Sequence, residues 1–491
     1  MIFFTDFFNV SEEKLEDYGA FNISLINDLP LFIDPFLLFG SDKEEYKQQH
    51  NDILKYLDFL RLKSEEGIYN FGRVKSLYLF PEVKQNWLGY SLIGNGGRGL
   101  GQSFGQNMSR NMKSIYKDLG NEKISETSHL EKAALFHIGV GKDNISDFTC
   151  NLIKNFLLKY TEEFAKQYLN RNQVKKIYVN KVYFDYKLER WMPKQFILPY
   201  IFNEYVILSP KDILTKDENW INNKDLYANF EEISNSIPND QLRSELNEYF
   251  YNRLPRNTNK KQTQTDINTA VNQTIQAFPV IIDYYIKSKE EDRAEAKAVS
   301  ETKVSEVENL FVSNVKHLVK ILLENSEFYK SSKFSSYDQA YERIIFLKKV
   351  IEENDGYKIF YLKGQPVKRE SDLQVIFRLT WFASPYDINR ESNNGRGPVD
   401  YAISLGAYDK SLVEFKLASN SSLKRNLQNQ TKIYEKANNT NKCIKVILFF
   451  TKRELSQITS ILKELKLEND KSIVLIDARK DNKISASKVK L

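Results

Sequence analysis

The sequence predicts a multidomain protein of the α/β and α+β classes: an N-terminal α+β module, a helical connector and a C-terminal mixed sheet flanked by helices. Three observations point there. The 491 residues exceed what one ordinary core organises, at about 100 to 200 residues per domain. Aromatic residues make up 13 % of the chain, chiefly 28 Tyr and 32 Phe, enough apolar area to exclude a largely disordered protein. Finally, the apolar periodicity changes along the chain, from mixed strand and helix patterns to one long helical stripe and then to alternating helices and strands.

Composition narrows the chemistry. A formal net charge of +6 is modest and gives only weak support for a polyanionic partner. Cys150 and Cys443 form no C-x-x-C pair, and the chain holds four histidines, so a disulfide scaffold, a thiolate zinc site and a His-rich metal centre are all disfavoured. The start, Met1-Ile2-Phe3-Phe4-Thr5-Asp6, lacks the basic segment of a secretory signal. No apolar run approaches the ~20 residues of a membrane-spanning helix. A cytoplasmic protein without a membrane partner is the expectation.

In order along the chain, residues 1–276 are read as an α+β module that senses a signal or binds nucleic acid, with a helix over 145–170 and a strand over 176–184. Gly94-Asn95-Gly96-Gly97-Arg98-Gly99 has G-x-G-x-x-G spacing, but a dinucleotide site also needs a βαβ unit and an acid ending its second strand. Asp118 has the spacing but sits in a helical or turn-like segment, so a turn or a backbone anion contact is the expected role. His137 to Asp147 precedes a helix that Asp143 or Ser146 is expected to cap, with a sensing pocket as the alternative. The polar stretch 256–266 is a loop or boundary. Val304, Val307, Leu310, Phe311, Val315, Leu318 and Leu322 mark one apolar stripe on a long helix over 277–325, within a connector spanning 277–335.

The last unit, 336–491, opens with a helix over 337–352. A helix over 372–382, a loop, strands over 399–405 and 412–417, a helix over 422–437, a strand over 444–450, a helix over 453–465 and a strand over 472–476 follow. The order is α-β-β-α-β-α-β, which a mixed sheet flanked by helices satisfies.

The two strands around Gly406 and Asp409 read as a β-hairpin. Centred near Tyr408, the hairpin sets Asp400 across from Lys416 and diagonal to Glu414; centred near Ala407, it sets Asp400 opposite Glu414. Either register gathers Asp400, Glu414 and Lys416 on one sheet face, since opposite residues and residues two apart share a face. Val413, Phe415 and Leu417 then supply the core. Phosphodiester hydrolysis needs an activated water and a counter-charge for the transition state, and a hard divalent cation on carboxylate oxygens supplies both. Asp400 and Glu414, with the carbonyl of Phe415, are the candidate ligands of Mg²⁺ or Mn²⁺, and Lys416 is the candidate that positions or deprotonates the water or steadies the transition state.

These residues resemble the PD-(D/E)XK nuclease superfamily: Pro398-Val399-Asp400 is similar to its Pro-Asp element with one residue inserted, and Glu414-Phe415-Lys416 to its (D/E)-x-K element. The resemblance implies a restriction-endonuclease-like αβββαβ core and a metal-dependent nuclease, with DNA favoured over RNA as substrate. Gln430 and Tyr434 are similar to the Gln-x-x-x-Tyr element of the RecB-like branch, where the pair supports the active site; they also belong to the apolar stripe Leu423, Leu427, Ala437, and both readings stay open.

Lys424, Gln428, Lys432 and Lys436, with Arg425 nearby, form a ridge that grips phosphates or simply faces solvent. Arg390 and Arg396, in the glycine-bearing loop before Asp400, are further candidate phosphate contacts. Glu370 matches an accessory metal acid that some superfamily members carry on this first helix, although Ser371 with Gln374 forms a capping-box pattern that explains the local polarity. By analogy alone, a module joined to a nuclease suits bacterial anti-phage defence or restriction, with a homo-oligomer or a defence partner protein. The rival readings are a non-catalytic nucleic-acid-binding module on the same fold and a ribonuclease.

Overall fold

The computed structural model describes residues 2–66, 71–89, 100–136, 141–255, 263–325, 335–353, 356–362, 364–367, 369–381, 386–389, 401–405, 409–428 and 442–482. The N-terminal part sets helices against a long antiparallel hairpin. Helices α1 (Glu44–Glu65), α2 (Lys142–Leu152) and α3 (Lys154–Tyr168) precede strands β1 (Val174–Asp185), β2 (Arg190–Ile201) and β3 (Glu204–Tyr205), which form one three-stranded sheet. Val179, Val182, Phe196 and Leu198 turn into the core while Lys176 and Tyr178 face solvent, the one-sided pattern of an antiparallel sheet. The single helix expected over 145–170 is two. Ile153, with φ −94° and ψ 13° and buried, interrupts it, and no Gly or Pro marks the break. Neither Asp143 nor Ser146 caps α2: Gly141 is the N-cap, and the Ser146 hydroxyl instead accepts from the Ile33 amide at 2.9 Å.

A second apolar core gathers Leu226, Phe230 and Ile233 with Leu246 and Phe250 of α4 (Asp240–Arg253), Val271 and Ile275 of α5 (Gln264–Ala277), and Ile282 and Tyr285 of α6 (Val280–Glu291). The unbroken helix expected over 277–325 is corrected here. After α6 the chain kinks at Asp292 (φ −96°, ψ 26°), continues as α7 (Arg293–Val307), passes through a π-helical turn at Glu308–Ser313 and ends as α8 (Asn314–Asn325). The destination changes within α7: Ile281 to Ala296 feed the second core, whereas Val304, Val307, Leu310, Phe311, Val315 and Leu318 feed the main one. The π turn holds Leu310, Phe311 and Val312, consecutive in sequence, all buried.

The C-terminal part is a five-stranded mixed sheet flanked by helices. Helix α9 (Ser336–Glu353) lies across it, followed by α10 (Glu370–Leu379), β4 (Asp387–Asn389), β5 (Tyr401–Leu405), β6 (Asp409–Leu417), a helical turn at 423–428, β7 (Cys443–Phe449), α11 (Lys452–Glu464) and β8 (Ile473–Asp477). Strand order is β8-β7-β6-β5-β4, with β4, β5 and β6 antiparallel in turn and β6, β7 and β8 parallel. Part of the loop expected before Asp400 is thus the edge strand β4, held by pairing of Ile388 with Ile403. Asp409, expected in the turn, belongs to β6; its carboxylate accepts from the Ser336 amide at 2.6 Å and the Ser336 hydroxyl at 2.9 Å, which fastens the hairpin to the start of α9. Burial raises the Asp409 carboxyl, but Ser336 and Lys442 outweigh it and hold the group below the usual range.

Strand β7 is buried at every position, as a parallel strand covered on both faces must be. On one side Val413, Phe415, Leu417, Val446 and Leu448 meet α9 and α10 within the main core. On the other, Ile447 and Phe449 meet Leu423, Leu427, Ile458 and Leu462. No helix among the described residues is long and apolar enough to cross a membrane.

Candidate active site

Strand β6 sorts its side chains by the two-residue period. Val413, Phe415 and Leu417 enter the main core, where the Phe415 ring lies 4.9 Å from that of Phe377 on α10, and Leu412, Glu414 and Lys416 face the other way. Both charged groups are nonetheless enclosed: the side chains of Glu414 and Lys416 are 4 % and 12 % exposed, and the Lys416 ammonium lies 3.1 Å from a Glu414 carboxylate oxygen. Burying a charge is tolerated when a partner compensates it, and here two do. Glu370, the first residue of α10, brings its second oxygen to 3.6 Å from the same ammonium.

Glu370 is anchored independently. Its Oε1 accepts from the Leu417 amide at 3.1 Å and from Asn420 Nδ2 at 2.8 Å, so the helix start is tied to the last residue of β6. The expected capping box needs Ser371 at the N-cap, whereas α10 begins at Glu370 with Arg369 as its N-cap. On the same turn Asp372 is buried, and burial raises its carboxyl above the usual range while Lys216 and Arg369 pull it down.

The hairpin register is the second of the two expected, with Asp409 opposite Leu405 and Tyr401 opposite Val413. Asp400, Gln430, Tyr434, Lys432, Arg390 and Arg396 lie outside the described residues. Of the remaining candidates, Glu414, Lys416 and Glu370 come together, and Phe415 contributes only its main chain, its ring being in the core. Lys424 and Arg425 are exposed on the turn at 423–428, and Lys424 forms a surface ion pair with Glu464. Two residues were missed: Asn420, which steadies Glu370, and Lys445, which pairs with Glu414 across the parallel ladder and is 5 % exposed. A lone lysine inside the all-apolar run Cys443 to Phe449 was the available signal.

Among the described residues no group of three or more His, Cys, Asp or Glu gathers. The donors present are two carboxylates and main-chain oxygens, a set that suits a hard cation such as Mg²⁺ or Mn²⁺ better than a thiophilic one. Glu414, Lys416 and Glu370 can fix a divalent ion's negative partners and an ammonium in one small volume.

Residues 9–222 match a family model described as a domain of unknown function (DUF8370), and residues 336–452 match a second one, also a domain of unknown function (DUF8371). No curated protein and no solved structure matches the chain.

Proposed function

We propose that the chain is a metal-dependent phosphodiesterase that hydrolyses nucleic acid, DNA in preference to RNA, on a restriction-endonuclease-like fold, in a defence or restriction setting. One observation carries the reading: Glu414 and Lys416 stand side by side on the middle strand of a mixed sheet while Glu370 closes on the same ammonium. Asp400 directly precedes Tyr401, the residue paired with the neighbour of Glu414, and is assigned as the second metal acid on that ground.

Asp400 and Glu414, with the carbonyl of Phe415, would hold Mg²⁺ or Mn²⁺, which supplies Lewis-acid stabilisation and an acidified water when bound. Lys416 presents an ammonium to the phosphate and to the attacking water, and its two carboxylate neighbours fix where that charge sits. Glu370 and Asn420 position it from the helix start. The buried Phe377 and Phe415 pair behind the strand keeps the carboxylate and the ammonium from drifting apart.

Incubating the protein with DNA and with RNA in Mg²⁺, Mn²⁺ or EDTA tests this. Cleavage of DNA in either metal and none in EDTA is expected. Lys416→Arg keeps the cation beside two carboxylates but moves its charge, and should slow cleavage by about 10²- to 10³-fold. A second reading draws on the same ion triad, which also satisfies itself as a buried polar network: binding without cutting in every metal would leave a nucleic-acid-binding module, and cutting of RNA alone a ribonuclease.

A further inference from the structure

A cavity of about 310 Å³ opens where the loop after Thr215, helix α7 and the N-cap of α10 meet. Six basic side chains, Lys142, Lys216, Lys224, Lys289, Lys303 and Arg369, line it against four acids, Asp34, Asp217, Glu218 and Asp225. Much of this charge is already paired. Asp217 takes an ion pair from Lys303 at 3.0 Å and another from Arg369, and its main-chain oxygen accepts from Lys142. Lys289 pairs with Asp225 at 2.6 Å and lies over the Trp220 ring.

Two buried groups on the wall are different. Lys216 is 5 % exposed, and among the described residues no carboxylate stands within ion-pair distance of it. Asn219 is 4 % exposed, and neither its amide nitrogen nor its amide oxygen has a hydrogen-bond partner. A buried lysine whose nearby acids, Asp217 and Asp372, act on it only through space, and a buried amide lacking both partners, are costly to maintain in an empty protein. Both costs fall if an anion that also carries a hydroxyl occupies the space, its acceptor oxygens meeting the ammonium and the Asn219 amide nitrogen and its hydroxyl donating to the Asn219 amide oxygen.

We propose that this cavity binds a small phosphorylated ligand, no larger than a mononucleotide, with its phosphate on Lys216 and Lys303 and its remaining polar atoms on Asn219. A phosphate group offers several acceptor oxygens to donors converging from different elements, which a lone carboxylate does not. The volume sits near the lower end of the roughly 300 to 1,000 Å³ typical of small-ligand sites. Binding also reaches the candidate active site. Arg369 is the N-cap of α10, and Glu370 follows it, so a phosphate that competes with Asp217 for Arg369 acts on the helix end that holds Glu370 against Lys416. This coupling rests on the nuclease reading; the binding site itself does not.

Isothermal titration of the full chain with inorganic phosphate, AMP and adenosine tests the site. Saturable binding of phosphate and AMP, weakened by salt and absent for adenosine, is expected. Lys216→Gln and Lys303→Gln should each lower AMP affinity at least tenfold; Lys303 is one-third exposed, so its variant folds irrespective of the cavity. No saturable binding of either phosphate carrier, adenosine binding as tightly as AMP, or wild-type affinity in Lys303→Gln would overturn the proposal. A protein that binds AMP but cuts no nucleic acid in any metal keeps the cavity site and discards the nuclease.

Discussion

The Lys416 ammonium lies between two carboxylates from different elements, at 3.1 Å and 3.6 Å, which makes it the residue at which the proposed chemistry is best tested. Its removal by alanine would leave Glu414 buried beside an unfilled space, a loss that mixes folding with catalysis, so the charge-preserving arginine is the cleaner probe. Glu370 gives a sharper separation. Glu370→Gln retains Oε1 as acceptor for the Leu417 amide and Asn420 but drops the negative charge. Metal affinity or metal-dependent cleavage should fall about 10- to 100-fold, as for other outer-shell partners, with the denaturant midpoint unchanged. Unchanged metal dependence in a metal titration would remove Glu370 from the site. That Glu414 and Lys416 share a face was legible because a period of two is local. Glu370 was harder to place, since its hydrogen-bond partner Leu417 lies 47 residues away and the nearby Ser371 and Gln374 offered a sufficient local explanation.

At the scale of elements, α9 and strands β7 and β8 fall within a residue or two of their expected bounds because their apolar patterns are complete in themselves. The stretch 277–325 misled because its first part, Ile281 to Ala296, packs into one core and the stripe from Val304 onward into another, and only tertiary packing shows the Asp292 kink and the π turn that accompany this. The edge strand β4 was hidden for a related reason: three residues carry no period, and pairing with β5 creates the strand. Packing between elements also makes Gly356 irreplaceable. A Cβ there would stand 2.6 Å from the carbonyl oxygen of Val350, which is backbone near the end of α9 and has little room to yield. Gly356→Ala should destabilise the protein by about 1 to 3 kcal/mol, read as a lowered urea midpoint with an unchanged slope.

Across the whole molecule, buried titratable groups pull stability in opposite directions with pH. Burial pushes His50 and His129 down to about 3. The unfolded chain protonates them near 6.5 and the folded chain does not until about 3, so the stability they hold is complete above pH 6.5 and is lost as pH falls from there towards 3. Asp34 and Asp147 are raised by burial to about 6 and about 7; what they contribute is present below pH 3.8 and lost as pH rises through 6 to 7. His50→Phe, set among the rings of Phe39 and His129, removes one proton demand. Relative to wild type it should gain about 2 kcal/mol between pH 6.5 and pH 5, seen by comparing denaturant melts at the two values. An identical offset at both pH values would refute the assignment. One apolar cluster runs from Ile2 through Phe311 and Val315 to Ala478, so no seam separates the N-terminal hairpin side from the sheet that bears Lys416. Neither half has a finished interior alone: severing them would bare an oily face on each, and any strain taken up beside the hairpin has a solid path to the strand that carries Glu414 and Lys416.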